Sequence, residues 1–287
     1  MRRILAALCL ALLPGAAFAA CPSVPDVARF ARAFLERTAP PAPPPYPDLS
    51  MADALCAQER FVAVLAQPFG DRVGWKVGLT NPVIQGRFGV THPVAGAIFH
   101  GTIRESSGAE LPARFGILPI VESDLLLRIR DDGVNTAGND PVALLRHVES
   151  VIPFIELADL VYPPDAPWNA PMIVAINVGA RLGVLGTPIP AEATPDFAAR
   201  LAAMTVILAD DTREIARAPG RAILGQPMNA LAWLVADLRA RGHVLRAGEY
   251  VSLGGFTAPV RPEAGRRYRV TYEGLAAQPV HVEVRFR

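Results

Sequence analysis

The sequence predicts an α+β fold, in which a short helical N-terminal part leads into one larger, mainly β domain. Three observations carry that expectation. Apolar residues first recur at helical spacing in two early stretches, near residues 24–37 and 51–62. From Val73 the composition turns to strand and glycine, and the last runs, Arg267 to Tyr272 and Val280 to Arg287, alternate in the manner of half-buried strands. No internal repeat divides the chain after Val73, so residues 20–72 read as a helical cap and 73–287 as one domain.

The bulk properties bound the function. With 287 residues, 51% hydrophobic and 19% charged, the composition is that of an ordinary globular protein. The 28 Lys and Arg nearly cancel the 27 Asp and Glu, and a net charge of +1 gives no field favouring nucleic acid or an anionic membrane surface. Residues 1–19 stand apart: Arg2-Arg3, an apolar run from Ile4 to Leu13, then Ala17-Phe18-Ala19, the pattern of a secretory signal peptide. The run is too short to span a membrane, which takes about 20 apolar residues. Export across the inner membrane, to the periplasm, is therefore expected. Removal of Cys9 with the leader would leave Cys21 and Cys56, which an oxidising compartment would bridge, a link contributing on the order of 3 kcal/mol. Lipid modification of Cys21 is the alternative.

In chain order, Val27, Phe30, Ala31, Phe34 and Leu35 mark a first helix over 24–37. The prolines of Ala39 to Pro47 prevent its continuation and make an extended crossover. Ser50 with Asp53 three residues on is a capping box before a second helix, with aspartate in place of glutamate. Gly74-Trp75-Lys76-Val77-Gly78 is a strand whose lysine, among apolar neighbours, either snorkels outward or reaches a carboxylate cluster. A short helix is expected over Gln85 to Gly89, and His92 and His100 lack metal-ligand spacing. Asp140-Pro141 caps a helix expected to run from Val142 to Ser150. Met204 to Ala209 and Thr212 to Ala218 form a hairpin, and Ala230 to Arg241 a helix that stops before Gly242.

The chemistry concentrates in Pro119 to Leu127, where Glu122 and Asp124 stand one residue apart in an apolar run. Side chains at i and i+2 of a strand leave on one face, and two anions held together there require a cation or a shared proton. Glu156 rises from a second apolar run, Val151 to Leu157, and three buried carboxylates point to a hard divalent cation bound through oxygen. Asp159 could be a fourth ligand, but its place near the end of the run favours a loop carboxylate, and Asn177 reads as a buried amide for which backbone or substrate must supply partners. The chain has no Gly-x-Ser-x-Gly elbow, phosphate-binding P-loop, dinucleotide glycine fingerprint, His-Glu-x-x-His or Cys-x-x-Cys pair.

Taken in order, Gly74 to Thr80, Glu122-x-Asp124, Glu156, Asn177, Gly225 to Ala230 and Gly248 to Gly254 resemble the 2-keto-4-pentenoate hydratase and oxalocrotonate decarboxylase branch of the fumarylacetoacetate hydrolase superfamily. The resemblance spans most of residues 51–287. It implies a mixed β-roll with an N-terminal helical cap, Mg²⁺ or Mn²⁺ on Glu122, Asp124 and Glu156, and Lys76 as the catalytic residue assisting proton transfer or charge balance. Asn177, Leu253 and Gly254 are implied at the substrate wall. Homo-oligomers and a small 2-oxo or 2-hydroxydienoic acid substrate follow from the same source. This chain departs from the family pattern at Asp124, Val94 and Leu253, where relatives usually carry glutamate, an acidic residue and threonine. Hydration is the leading reaction; cleavage of an acylpyruvate C–C bond, or metal and acid binding without turnover, are the alternatives.

Overall fold

The computed structural model describes residues 21–38, 49–162 and 166–287. The leader at 1–19 and the proline-rich crossover at 39–47 lie outside the described residues. The chain begins with α1 (Val24–Glu36) and α2 (Met51–Phe69), then β1 (Arg72–Gly78), α3 (Pro82–Arg87), β2 (Val94–Phe99), β3 (Ile103–Arg104) and β4 (Ala109–Leu111). The long strands β5 (Pro119–Ile129) and β6 (Val148–Asp159) are separated by α4 (Pro141–Leu145). After them come α5 (Ala170–Ala175), β7 (Leu182–Leu185), β8 (Ile189–Pro190), α6 (Pro195–Ala203), β9 (Thr205–Asp210), β10 (Glu214–Pro219) and α7 (Met228–Ala240). The chain closes with β11 (Tyr250–Ser252), β12 (Arg267–Glu273) and β13 (Val280–Phe286).

Local chemistry sets the helix ends. Ser23 and Ser50 accept from the amides of Asp26 and Asp53, so the expected cap of α2 is present. The second helix runs past Val62 to Phe69, because Phe61 and Leu65 find a buried partner in α1; Gly70, at φ 78, then ends it. The ring centroid of Phe61 lies 5.1 Å from that of Phe30 and 5.3 Å from that of Phe34. Cys21 and Cys56 are disulfide-bonded, with Cα atoms 5.6 Å apart, tying the start of α1 to α2. A sulfur so engaged is not open to lipid attachment. The two helices share their apolar cluster with Ala97 and Phe99 of β2 and Met172 and Ile176 around α5.

Two mixed sheets form the body. The larger has the order β2-β1-β11-β5-β6-β7-β3, with β8 beside β6; the smaller has the order β10-β9-β12-β13-β4. Pairing is parallel for β1 with β11, β3 with β7 and β13 with β4, and antiparallel elsewhere. Val121, Leu125, Leu127 and Ile129 of β5 join Val206, Leu208, Val270, Val282 and Val284 of the smaller sheet in the main core, closed by α6 and α7 through Phe197, Leu201, Leu231 and Leu234. The even-numbered residues of β5 therefore face the other way. That second face carries Glu122 and Asp124.

One expected element is shorter. The helix after Asp140 ends at Leu145 rather than Ser150, and Val148 already pairs with Ile129. A β-branched run that can lay down a full antiparallel ladder with β5 outcompetes another helical turn.

Candidate active site

The β5–β6 register sets the site. Glu122 lies directly opposite Glu156, and Asp124 opposite Phe154, so three carboxylates share one sheet face. The fourth member arrives from β1, where Lys76 pairs with Ser252 of β11, itself opposite Leu126. The Lys76 ammonium is ion-paired with Glu156 and donates to the Val178 carbonyl at 2.9 Å. Both residues of the pair are 4% exposed. Lys76 therefore reaches the carboxylates and does not snorkel.

The glycines flanking this lysine have a packing cause. A Cβ at Gly74 would run into the backbone of Tyr250, and one at Gly78 would stand 2.5 Å from Val178. A Cβ at Gly96 on β2 would lie 2.6 Å from the Asn177 carbonyl. These positions let the turn Asn177–Gly179 press onto the sheet. In that turn Val178 holds φ 55, a costly conformation for a β-branched residue, and its carbonyl is the one that accepts the Lys76 hydrogen bond.

Asp124 is fully buried and firmly held. Its Oδ1 accepts from the amides of Leu125, Leu253 and Gly254, the last at 3.0 Å, and its Oδ2 accepts from the Ser252 hydroxyl. Gly254, at φ 101, is required here, since a Cβ would meet Thr80 Oγ1 at 2.5 Å and Val77 O at 2.9 Å.

Charge is in surplus. If all three carboxyls ionise, a single ammonium opposes them. Burial, then repulsion from Glu156, raises Glu122 to about 8, with Lys76 offsetting part of the rise. Burial and Glu156 raise Asp124 to about 7 against the Ser252 hydrogen bond. For Lys76 burial acts to lower the ammonium, but the attraction of Glu156 and then Glu122 overrides it, and the group sits above its ordinary value.

The donor set fits a hard divalent cation in chemistry and in charge: three carboxylates, two negative charges beyond Lys76, and a lone pair left on Asp124 Oδ2. In the arrangement observed, no three His, Cys, Asp or Glu side chains among the described residues converge into a ready cage. Lys76 holds Glu156, and four hydrogen bonds hold Asp124.

The side chains expected on a substrate wall are placed differently. Asn177 is fully buried and its amide is consumed by Ala97, accepting from the amide at 2.7 Å and donating to the carbonyl at 2.9 Å. Backbone, not a ligand, supplies its partners. Leu253 turns its side chain into the main core, with only its amide at Asp124. Val94 packs with Ala54, Ile173 and Val178. Asp159 is no loop carboxylate: fully buried, it accepts from the amides of Ile117, Leu118 and Val161 and faces Arg181. His92 and His100 are exposed. Sequence reasoning missed two members, the Ser252 hydroxyl and the Val178 carbonyl. Alternation in Tyr250-Val251-Ser252-Leu253 was the available signal for the serine; the carbonyl had none.

Comparison with known proteins places this geometry. No family model matches the chain. A 2-keto-4-pentenoate hydratase from Burkholderia vietnamiensis is 33% identical over 213 residues, 72% of this chain and 77% of that protein. The structure of 4-oxalocrotonate decarboxylase from Pseudomonas putida G7, complexed with magnesium and adipate, superposes with a TM-score of 0.79 at 22% identity, covering 92% of this chain and 97% of that one. Fumarylpyruvate hydrolase from Pseudomonas aeruginosa, in complex with Mn²⁺ and pyruvate, superposes with a TM-score of 0.53 at 16% identity over 76% of this chain and 91% of that one. The chain belongs to the 2-keto-4-pentenoate hydratase and oxalocrotonate decarboxylase branch of the fumarylacetoacetate hydrolase superfamily.

Proposed function

We propose that this protein is a divalent-metal-dependent, hydratase-type lyase acting on a small 2-hydroxydienoic or 2-oxo acid, with Mg²⁺ or Mn²⁺ held by Glu122, Asp124 and Glu156. The observation that carries the reading is the cluster of buried Asp124 and Glu156 and half-buried Glu122 around the Lys76 ammonium, in a chain 33% identical over 213 residues to a hydratase. When bound, such a cation supplies Lewis-acid polarisation of a chelated 2-oxo acid and offsets the charge of its enolate. The chain's own groups divide the remaining work. Lys76, kept protonated by Glu156, is the proton donor at the site and the counter-charge to the substrate carboxylate. Ser252 and the amides of Leu253 and Gly254 fix the orientation of Asp124. The Val178 carbonyl aims the lysine.

We further propose export to the periplasm after loss of residues 1–19. The Cys21–Cys56 bridge supports this, because disulfides persist in oxidising compartments. Among the described residues no helix is long and apolar enough to cross a membrane. A homo-oligomer is proposed from the family resemblance, and light scattering on the purified protein reads it directly. The test of function is the loss of dienoate absorbance on adding protein and Mg²⁺, with the product identified as a 4-hydroxy-2-oxo acid. An acylpyruvate cleaved in its place would reassign the reaction to C–C hydrolysis, and tight binding without turnover would make the protein a binder.

A further inference from the structure

The larger sheet ends at β2, and an end strand leaves one row of its backbone groups without a neighbouring strand. Two side-chain amides take that place. Ala97 donates to and accepts from the Asn177 amide, and beside it the Ala95 carbonyl accepts from Gln58 Nε2 at 2.8 Å. The same nitrogen donates to the Val174 carbonyl of α5 at 3.1 Å. Gln58 comes from α2 and is 3% exposed, so the N-terminal cap is tied through one buried amide to the sheet edge and to α5 together.

The clamp lies level with Lys76. Ala95 and Ala97 flank Gly96, the residue that pairs with Lys76 across β1 and β2. Val174 stands one helical turn before Val178, whose carbonyl accepts from the Lys76 ammonium. Asn177, Val178 and Gly179 hold φ 55, 55 and 69, three left-handed residues in succession, two of which carry a Cβ. Such a turn persists only where its surroundings hold it. Asn177 pins it to β2 directly, and Gln58 pins α5, the element that leads into it. An ammonium has three N–H donors. Glu156 and the Val178 carbonyl take two of them, and a lysine held at two points presents its third N–H in a fixed direction.

We propose that Gln58 is a positioning residue for Lys76: acting through α5 and the Val178 carbonyl, it makes the N-terminal cap a working part of the active site. Without its two donations the strained turn relaxes, the Val178 carbonyl leaves the lysine, and the flexible four-carbon stem is fixed at Glu156 alone. The inference rests on the role given to Lys76 above.

The test uses the fact that Lys76 is the only lysine in the 287-residue sequence. Protein grown on lysine labelled with carbon-13 at the ε position gives one ε-methylene signal by NMR, in which a held side chain has two inequivalent protons and a freely rotating one has averaged protons. In metal-free wild type the two protons should be resolved. In Gln58→Met, which keeps the side-chain length and removes both donations, they should merge. With Mg²⁺ and a dienoate, kcat of this variant should fall about tenfold or more while KM changes by less than about threefold, because the charge stays and only its direction is lost. Gln58→Asn, still an amide but one methylene short, is the milder variant and should show both changes in part. Cys56→Ser weakens the same helix through its disulfide and leaves Gln58 in place, so it should lower stability with the lysine signal and kcat at their wild-type values. Resolved protons in both Gln58 variants would overturn the proposal, as would equal merging in Cys56→Ser, which would assign the effect to general loosening of the cap. If the wild type hydrates no dienoate, the assigned reaction fails, and the lysine signal still decides the role of Gln58.

Discussion

Replacing Lys76 with methionine is the most revealing single change. The substitution keeps the length of the side chain and removes the one cation that touches Glu156, in a pair where both partners are 4% exposed. Glu156 and Asp124 would then be left buried, and Glu122 half-buried, with no counter-charge, and the Val178 carbonyl would lose its donor. Breaking one side of a buried ion pair costs about 3 to 5 kcal/mol, because the remaining charge stays desolvated. Protonation of the carboxyls relieves part of this, so the loss should be largest at high pH. In metal-free buffer at pH 8, urea denaturation should show Lys76→Met less stable by about 3 kcal/mol or more. Saturating Mg²⁺ should recover much of that loss, since a bound cation supplies the charge the lysine gave. A Lys76→Met protein within about 0.5 kcal/mol of wild type without metal would refute the reasoning, as would a deficit indifferent to Mg²⁺.

Three further predictions follow from the same geometry. Folding raises Glu122 from its ordinary 4.5 to about 8 and Asp124 from 3.8 to about 7, so between those limits the folded protein binds more protons than the unfolded chain. Metal-free stability should therefore fall as pH rises from about 4 through 8, while Mg²⁺ affinity rises over pH 7 to 8 as protons are displaced; melting curves and calorimetry across pH measure both. Cys56→Ser opens a link spanning 35 residues and should cost about 3 to 4 kcal/mol through loop entropy, read as a drop in urea midpoint. Ser252→Ala leaves Asp124 Oδ2 without its hydroxyl donor and should cost about 1 to 2 kcal/mol, with Mg²⁺ binding shifted to higher pH.

Much of the site was legible because strand geometry is simple. Glu122 and Asp124 share a face by the i, i+2 rule, and the same alternation puts Leu125, Leu127 and Ile129 in the core. Lys76 announced itself as a charge between glycines, although the reason for Gly78 is contact with Val178, a residue about a hundred positions away in sequence. The placement of Glu156 opposite Glu122 depends on a register that no local pattern encodes. The partners of Asn177 and the direction of Leu253 are set by folding, each for its own reason. The asparagine amide closes on Ala97, a contact made only by folding. Leu253 directly follows β11, and with Ser252 turned to the site its side chain lies in the core. The helix expected through Ser150 lost to a sheet ladder, as local propensity does when a long partner strand is available.

The central claim is that Glu122, Asp124 and Glu156 form a divalent-metal centre around Lys76. Anomalous diffraction from crystals grown with Mn²⁺ tests it most directly. The account predicts a single strong peak within direct ligation distance, about 2.0 to 2.3 Å, of oxygens from all three carboxylates, and its loss in Glu122→Gln. A peak coordinated elsewhere, or none beside these carboxylates while Lys76 still holds Glu156, would contradict it.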